Sequence, residues 1–312
     1  MKKIKYLIEY FKYLDNPIEA LKFKFNLKKT GKIIVKSSPT YELTLNNINS
    51  LNKLMGTLPH VDKNKIPEFL KYIEEIDQDS KYLTIGDIKY VNIYNSTFKK
   101  NHPHKYTVDN EEYFSSDEWD MINFKDRHII DIGGNNGDTS LYFAKKGAAE
   151  VIGFEPVPHL YELAIENIDL NKDLKNKISY VNKAVGGKRG KLKITSNSVK
   201  DYIDTDKSDM EIITVNDILN NYNFTPDILK MDCEGCEFEI IENENLTMFN
   251  DIIFEHHSKI VKKDYNILIN KLKKEGFEID LIKHSLFDYE DIGIIHAHNT
   301  NICKWMYYNF VK

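Results

Sequence analysis

Apolar and polar positions change rhythm partway along this chain of 312 residues. From Lys125 onward, short apolar runs rich in β-branched residues alternate with stretches whose apolar positions recur every three or four residues. The runs at 128–132, 150–154, 178–182, 226–232 and 251–257 read as strands buried on both faces. The stretches 138–146 and 158–170 read as helices, and so do Ile213 to Leu219 and Ile260 to Glu275, the last closing at Gly276. Lys191 to Thr195 is read as a short strand that pairs back. Phe277 to Ile282 and Ile292 to Tyr308, interrupted at His296 to Asn301, are read as final strands. Alternation of this kind predicts an α/β architecture, a doubly wound, mostly parallel seven-stranded sheet covered by helices on both faces.

Residues 1 to 125 follow no such alternation and are read as an α+β accessory region. Helical spacing marks a first helix with Ile4, Leu7, Ile8, Phe11 and Leu14 on one face, a second over Ile18 to Leu27, and others over Asn46 to Leu54 and Ile66 to Ile76. GKIIVK (Gly31 to Lys36) reads as a strand, and Tyr82 to Ile85 with Ile88 to Ile93 as a hairpin around Gly86 and Asp87. The polar stretch from Ser96 to Asp117, with His102, Pro103 and His104, reads as a solvated connector in preference to a lid.

Composition narrows the classes. Hydrophobic content of 41% with 29% charged residues suits a soluble protein, and no run of about 18 apolar residues predicts a membrane span. At a net charge of −5, with basic and acidic residues interspersed, no nucleic-acid partner is expected. Three cysteines are too few for a disulfide framework and fit a reducing compartment, so a cytoplasmic location is expected. The basic, aromatic N-terminus has two readings: a helix packed on its own domain, which is preferred, or peripheral membrane contact through residues 1–28.

Polar chemistry gathers where strands end. HIIDIGGNNGDTSLYF (His128 to Phe143) reads as strand, glycine loop and helix start, with Gly133, Gly134 and Gly137 letting the backbone turn and approach a ligand. A dinucleotide fingerprint counted from Gly133 would need glycines where Asn135 and Asp138 stand. Asp131, just before the loop, suits a cationic ligand better than a pyrophosphate, because like charges repel. The sulfonium and amino groups of S-adenosylmethionine are such cations. Glu155, ending EVIGFEP, is placed to accept both hydroxyls of a ribose.

Three further strand ends supply Asn182; Asp232 with Glu234 and Glu237; and Glu255 with His256 and His257. The stretch KMDCEGCEFEII is acid-rich where a buried strand meets a loop, and Glu234 and Glu237 also suit capping of the helix that follows. Cys233 and Cys236 have metal-ligand or redox spacing. A lone pair without a second set is weak, and both are read as small apolar residues beside a packed strand. No metal site is assigned, since the two carboxylates Asp232 and Glu255 do not specify magnesium.

In order, DIGGNNGDTSLYF, FEPVPHLYELAIENIDLN, KAVGG, ITVNDIL and LKMDCEGCEFEII resemble the FkbM family of S-adenosylmethionine-dependent methyltransferases over about Arg127 to His257. The resemblance implies a Rossmann-like class I methyltransferase domain, read over 126–312 with the remaining strands compatible; residues 1–125 carry no motif of the family and are read as an accessory or substrate region. It implies cofactor binding by Asp131, Gly133, Asn135, Gly137 and Glu155, to which the loop and strand-end reading adds Gly134, Asn182 and Asp232. Gly134 stands where the family often has alanine. Asp232 and Glu234 match the family's D-x-E-G pair. Methylation of a hydroxyl on a sugar or other small-molecule or glycan acceptor is the implied reaction.

An alcohol is a poor nucleophile until a base takes its proton. His256 or Asp232 is expected to take it, with Glu234 orienting the acceptor. Competing readings are a nicotinamide oxidoreductase, which lacks its glycine spacing here, and a non-catalytic cofactor- or membrane-associated module that keeps the fold. A nucleic-acid methyltransferase is disfavoured by charge. Neither the acceptor's identity nor the oligomeric state can be read from the residues.

Overall fold

Seven strands form the main sheet: β1 (His128–Ile132), β2 (Glu150–Phe154), β3 (Ile178–Val181), β4 (Ile228–Met231), β5 (Asp251–His256), β6 (Phe277–Ile282) and β7 (Gly293–Asn299). The computed structural model describes residues 2–37, 39–101, 122–193, 209–222, 225–282 and 292–300. Across the sheet the order is β6-β7-β5-β4-β1-β2-β3, with β7 antiparallel to both neighbours and the other pairs parallel. The chain moves one way from β1 to β3 and the other way from β4 to β5, so the switch point lies between β1 and β4. Ligands of doubly wound sheets bind beyond the carboxyl ends of the strands at this place.

The apolar runs form the core as their composition requires. Ile129, Ile130, Val151, Ile152, Leu229, Ile252 and Ile253 are fully buried. Helices α1 (Asp138–Lys145), α2 (Pro158–Leu170), α3 (Val215–Asn221), α4 (Cys236–Asn243) and α5 (Asn266–Lys274) accompany the strands. The central strands also bury two charges. Lys230 of β4 and Asp131 of β1 are register neighbours, 1% and 0% exposed, with Lys230 Nζ 3.0 Å from Asp131 Oδ1. Lys230 also donates to the carbonyl of Gly133 at 3.1 Å.

Several elements differ from their sequence-based expectation. Ile213 ends a strand, Asp209–Ile213, and α3 starts only after Thr214, whose hydroxyl and the Asp217 carboxylate form a reciprocal capping box. The predicted pairing-back strand is Gly190–Lys193, antiparallel to Asp209–Ile213; the continuation to Thr195 lies outside the described residues. The helix expected over Ile260 to Glu275 is broken. A turn over Ser258–Val261 stops at Lys262, left-handed at φ 55°, and Asp264 accepts the Asn266 N–H to open α5. His296 to Asn299 do not interrupt a strand but continue β7, because His296 and His298 both bond Asp251 on β5 at 2.9 Å.

The described residues up to Asn101 and those from Ile122 belong to two compact units. In the first, Gly31–Val35 pairs with Tyr41–Leu45, a strand not anticipated, and Tyr82–Ile85 with Ile88–Val91 as the expected hairpin. Phe69, Leu70, Ile73 and Ile76 are buried as their spacing predicts. The first helix, Lys2–Tyr13, buries Tyr10, with Leu14 just beyond it, and leaves Ile8 and Phe11 more than half exposed, so the predicted apolar face is divided. Ser96–Asn101, expected as connector, is helical, and the rest of that polar stretch lies outside the described residues. No described helix is long and apolar enough to cross a membrane.

Removing one member of a buried ion pair leaves the other charged in a dry interior. Lys230→Met is therefore expected to lower unfolding free energy by about 3–5 kcal/mol, and Asp131→Asn with Lys230→Met to recover much of it. Urea unfolding of the two variants checks this; equal losses in both would show that the pairing contributes nothing specific.

Candidate active site

The glycine loop after β1 is shaped by its neighbours. Gly133 has φ +74°, and a Cβ there would lie 1.8 Å from the carbonyl oxygen of Asp232, so the loop backbone is pressed against the end of β4. At Gly134 a Cβ would meet the Tyr180 hydroxyl at 2.5 Å, which explains glycine at this position in a chain that has tyrosine at 180. Tyr180 donates to the Asn135 carbonyl at 3.1 Å and stacks on Tyr161. Sequence reasoning missed Tyr180; Gly153 beside its ring on β2, where a Cβ would sit 2.3 Å away, is the signal of a large neighbour.

Asp131 is fully buried, and its carboxylate is engaged within the chain. Its Oδ2 accepts from Thr139 Oγ1 at 2.7 Å and Ser140 Oγ at 2.6 Å, and its Oδ1 pairs with Lys230. The cation that Asp131 was expected to find in the cofactor is thus the chain's own lysine, and its role is to hold the loop. Burial works against the Lys230 charge, but Asp131 and Asp232 outweigh it and keep its pKa above the ordinary lysine value. A lysine inside the apolar run ILKM was the overlooked sign.

Glu155 closes the loop from β2. Its Oε2 accepts the Asn135 N–H at 3.0 Å and its Oε1 the Val157 N–H at 2.8 Å. These use about half of a carboxylate's acceptor capacity. Burial raises its pKa to about 8, against the lowering effect of the two backbone N–H groups. Asn182, after β3, donates to the carbonyls of Glu155 and Pro156 at 2.8 and 3.2 Å, so it fixes the Glu155 turn. Asn135 is left-handed at φ 49°, and its Oδ1 is buried with no hydrogen-bond partner. An orphaned acceptor beside a carboxylate with open lone pairs, on a loop with no room for extra side chains, fits the amino and ribose groups of S-adenosylmethionine. Asn135 and Glu155 would hold them.

A second cluster gathers at the ends of β4 and β5. His257 Nε2 faces Glu234 Oε2 at 3.7 Å, Asp232 Oδ1 at 3.9 Å and Glu255 Oε2 at 4.0 Å. Its other nitrogen, Nδ1, lies 3.2 Å from Oε1 of the fully buried Glu237, which also accepts the His257 N–H at 2.8 Å. Glu237 Oε2 accepts the Gly235 N–H at 2.8 Å, so the capping expected of Glu237 is combined with a hold on His257. Burial disfavours a charge on His257, but Glu237, Asp232 and Glu255 push its pKa up to about 10.

Two expectations are corrected here. His256 stands apart from the carboxylates: it is fully buried, its Nδ1 is 3.0 Å from Ser258 Oγ, and its ring stacks on Tyr265. Successive strand residues point to opposite faces, so His257 is the histidine of the cluster. Cys233 and Cys236 pack against the core as expected but are not separate thiols; a disulfide joins them, with their Cα atoms 5.5 Å apart. It closes the turn in which Glu234 (φ 58°) and Gly235 (φ 120°) are both left-handed.

Strand order, glycine loop and acidic strand ends together define a Rossmann-like, class I methyltransferase domain. Residues 131–279 match the family model described as Methyltransferase FkbM domain, and this part of the chain belongs to that family. It is the domain of an S-adenosylmethionine-dependent methyltransferase. Among solved structures, the chain is similar to methyltransferase FkbM from Methylobacillus flagellatus KT, at 12% identity over 80% of this chain and 59% of that one, with a TM-score of 0.39. It is also similar to P. horikoshii TYW2 in complex with MeSAdo (15%, 69% of each chain, TM-score 0.41). A third is Aeropyrum pernix fibrillarin with natively bound S-adenosyl-L-methionine (15%, 56% and 68%, TM-score 0.37). No curated protein matches the sequence.

If Glu155 accepts the ribose hydroxyls, binding favours its ionised form, and affinity must rise with pH until the carboxyl has lost its proton. Calorimetry is expected to show S-adenosylmethionine binding tightening from pH 6 toward about 8 and levelling above it. Glu155→Gln should flatten the profile, and Glu155→Ala should weaken binding more than about tenfold, or roughly 1.4 kcal/mol. A pH-independent affinity in the unaltered protein would remove Glu155 from the ribose site.

Proposed function

We propose that this domain methylates a hydroxyl of a sugar or other small-molecule or glycan acceptor. The observation that supports it is the cluster of Asp232, Glu234, Glu255 and His257 beside the switch point, a set of acceptors suited to binding and deprotonating an alcohol. When bound, S-adenosylmethionine supplies an electrophilic methyl group and leaves as S-adenosylhomocysteine. The chain's own residues align the acceptor oxygen and receive its proton. Glu234, on the left-handed turn after β4, takes the proton, and Asp232 orients the hydroxyl. Glu237 holds the His257 ring by Nδ1, so that Nε2 faces the carboxylates. Positioning supplies much of the acceleration in an in-line displacement.

A base positioned in this way contributes on the order of 10²–10⁴-fold. Glu234→Gln is expected to lower turnover by at least about 10²-fold with cofactor affinity unchanged, in assays of labelled methyl transfer to a panel of hydroxylated acceptors. His256→Gln, outside the cluster, should retain more turnover than His257→Gln. Transfer to amines or to nucleic acid but to no alcohol would overturn the proposal.

A further inference from the structure

We propose that Asp232, Glu255 and His257 form a divalent-cation site on the acceptor side of the methyltransferase centre. This rests on the reading of the cluster as the place where the acceptor hydroxyl is bound. One oxygen of each carboxylate and Nε2 of His257 lie within 4.8 Å of one another. They converge at ion-pair distance: His257 Nε2 is 3.9 Å from Asp232 and 4.0 Å from Glu255, beyond hydrogen-bond reach. Ligand atoms around a small divalent ion at about 2.1 Å stand roughly 3–3.5 Å apart, so each would close by less than about 1 Å.

His257 supplies a second, separate observation. Its side chain is 4% exposed, and Nε2 is aimed into the carboxylates with no hydrogen bond among the described residues. Behind it, the buried Glu237 holds Nδ1 and the backbone N–H of the same residue. A carboxylate that fixes a ring by one nitrogen and presents the other is the support characteristic of metal-bound histidine. Around Nε2 stand three carboxylates, Asp232, Glu234 and Glu255, the oxygen-donor surroundings a divalent cation takes.

Two other groups of ligand-type residues show by contrast what a site needs. Asp251, His296 and His298 are bonded to each other, with both imidazoles 2.9 Å from Asp251 Oδ1, while Arg127 donates to Oδ2 at 3.1 Å. That set satisfies itself. Beside Glu237, Cys233 and Cys236 have their sulfurs in a disulfide and are not available as thiolates. In the Asp232–Glu255–His257 group, by contrast, the ligand atoms lie within 4.8 Å of one another and His257 Nε2 hydrogen-bonds neither carboxylate. Mixed carboxylate and imidazole donors suit Mn2+ and related divalent ions. A cation there would bind the acceptor oxygen, ease loss of its proton to Glu234, and leave His257 as a ligand and not a base.

The test uses the full chain and Mn2+ alone, with neither cofactor nor acceptor present. Titration followed by electron paramagnetic resonance is expected to show one bound Mn2+ per chain, with nitrogen modulation of its spin echo. His257→Gln should abolish the nitrogen signal, and Glu255→Gln should weaken binding at least about tenfold. Thermal unfolding and S-adenosylmethionine titration confirm that each variant is folded. No stoichiometric Mn2+ binding, or binding whose nitrogen signal survives His257→Gln, overturns the site. Hydroxyl methylation that proceeds fully in chelator would reject the site while leaving the proposed function standing. Mn2+ bound through His257 by a protein that methylates no alcohol would do the reverse.

Discussion

The Asp131–Lys230 pair is the interaction on which the cofactor side of the domain depends. Two opposite charges sit on neighbouring strands with almost no exposure, and their hydrogen bonds reach in two directions. Lys230 holds the Gly133 carbonyl, and Asp131 holds the hydroxyls of Thr139 and Ser140 in the first turn of α1. The glycine loop is therefore tied at its start and at its exit to the two strands that flank the switch point. Hydrophobic residues at 131 and 230 would pack as well, and burying such a pair seldom adds net stability. What the pair adds is geometry: a loop held where a ligand is to be bound loses little freedom on binding.

Charge is divided across the strand ends in a consistent way. On the β1 and β2 side, Lys230 neutralises Asp131, and Glu155 is buried enough to hold its proton up to about pH 8. On the β4 and β5 side, Asp232, Glu234, Glu237 and Glu255 surround a single histidine. One half of the site holds a closed ion pair and a carboxyl that keeps its proton, and the other gathers carboxylates about His257. A cationic methyl donor and an acceptor that must lose a proton are both favoured by that field.

Much of this was legible in the residues. Five strands, the glycine loop and the acidic strand ends follow from apolar runs bounded by glycine and carboxylates, because a parallel sheet must be covered on both faces and must end in polar groups. Element boundaries failed where a local side-chain contact overrode periodicity, as at Thr214 with its capping box and at Lys262 with its left-handed turn. The role of Asp131 was misjudged because its partner lies 99 residues away in sequence, and only the sheet register brings Lys230 beside it. Periodicity carries no information on such a pairing. Spacing alone also put packing ahead of metal or redox chemistry for the cysteines and did not reveal their disulfide.

The two adjacent histidines show where sequence reasoning runs out and why. On a strand with one wet face, alternation marks which residues point inward. On β5 both faces are buried, so Phe254, His256 and Ile253 are all hidden, and burial does not distinguish one face from the other. The distinguishing residue is Glu255, the strand's partly exposed acid, which lies on the same side as His257 and opposite His256. A carboxylate at the carboxyl end of a doubly buried strand can be satisfied only toward the polar edge of the sheet, and that fixes the parity of its neighbours. Assigning a strand-end residue to a site therefore requires the face of the nearest charged residue, and the histidine two positions from Glu255 satisfies that condition where the one beside it does not.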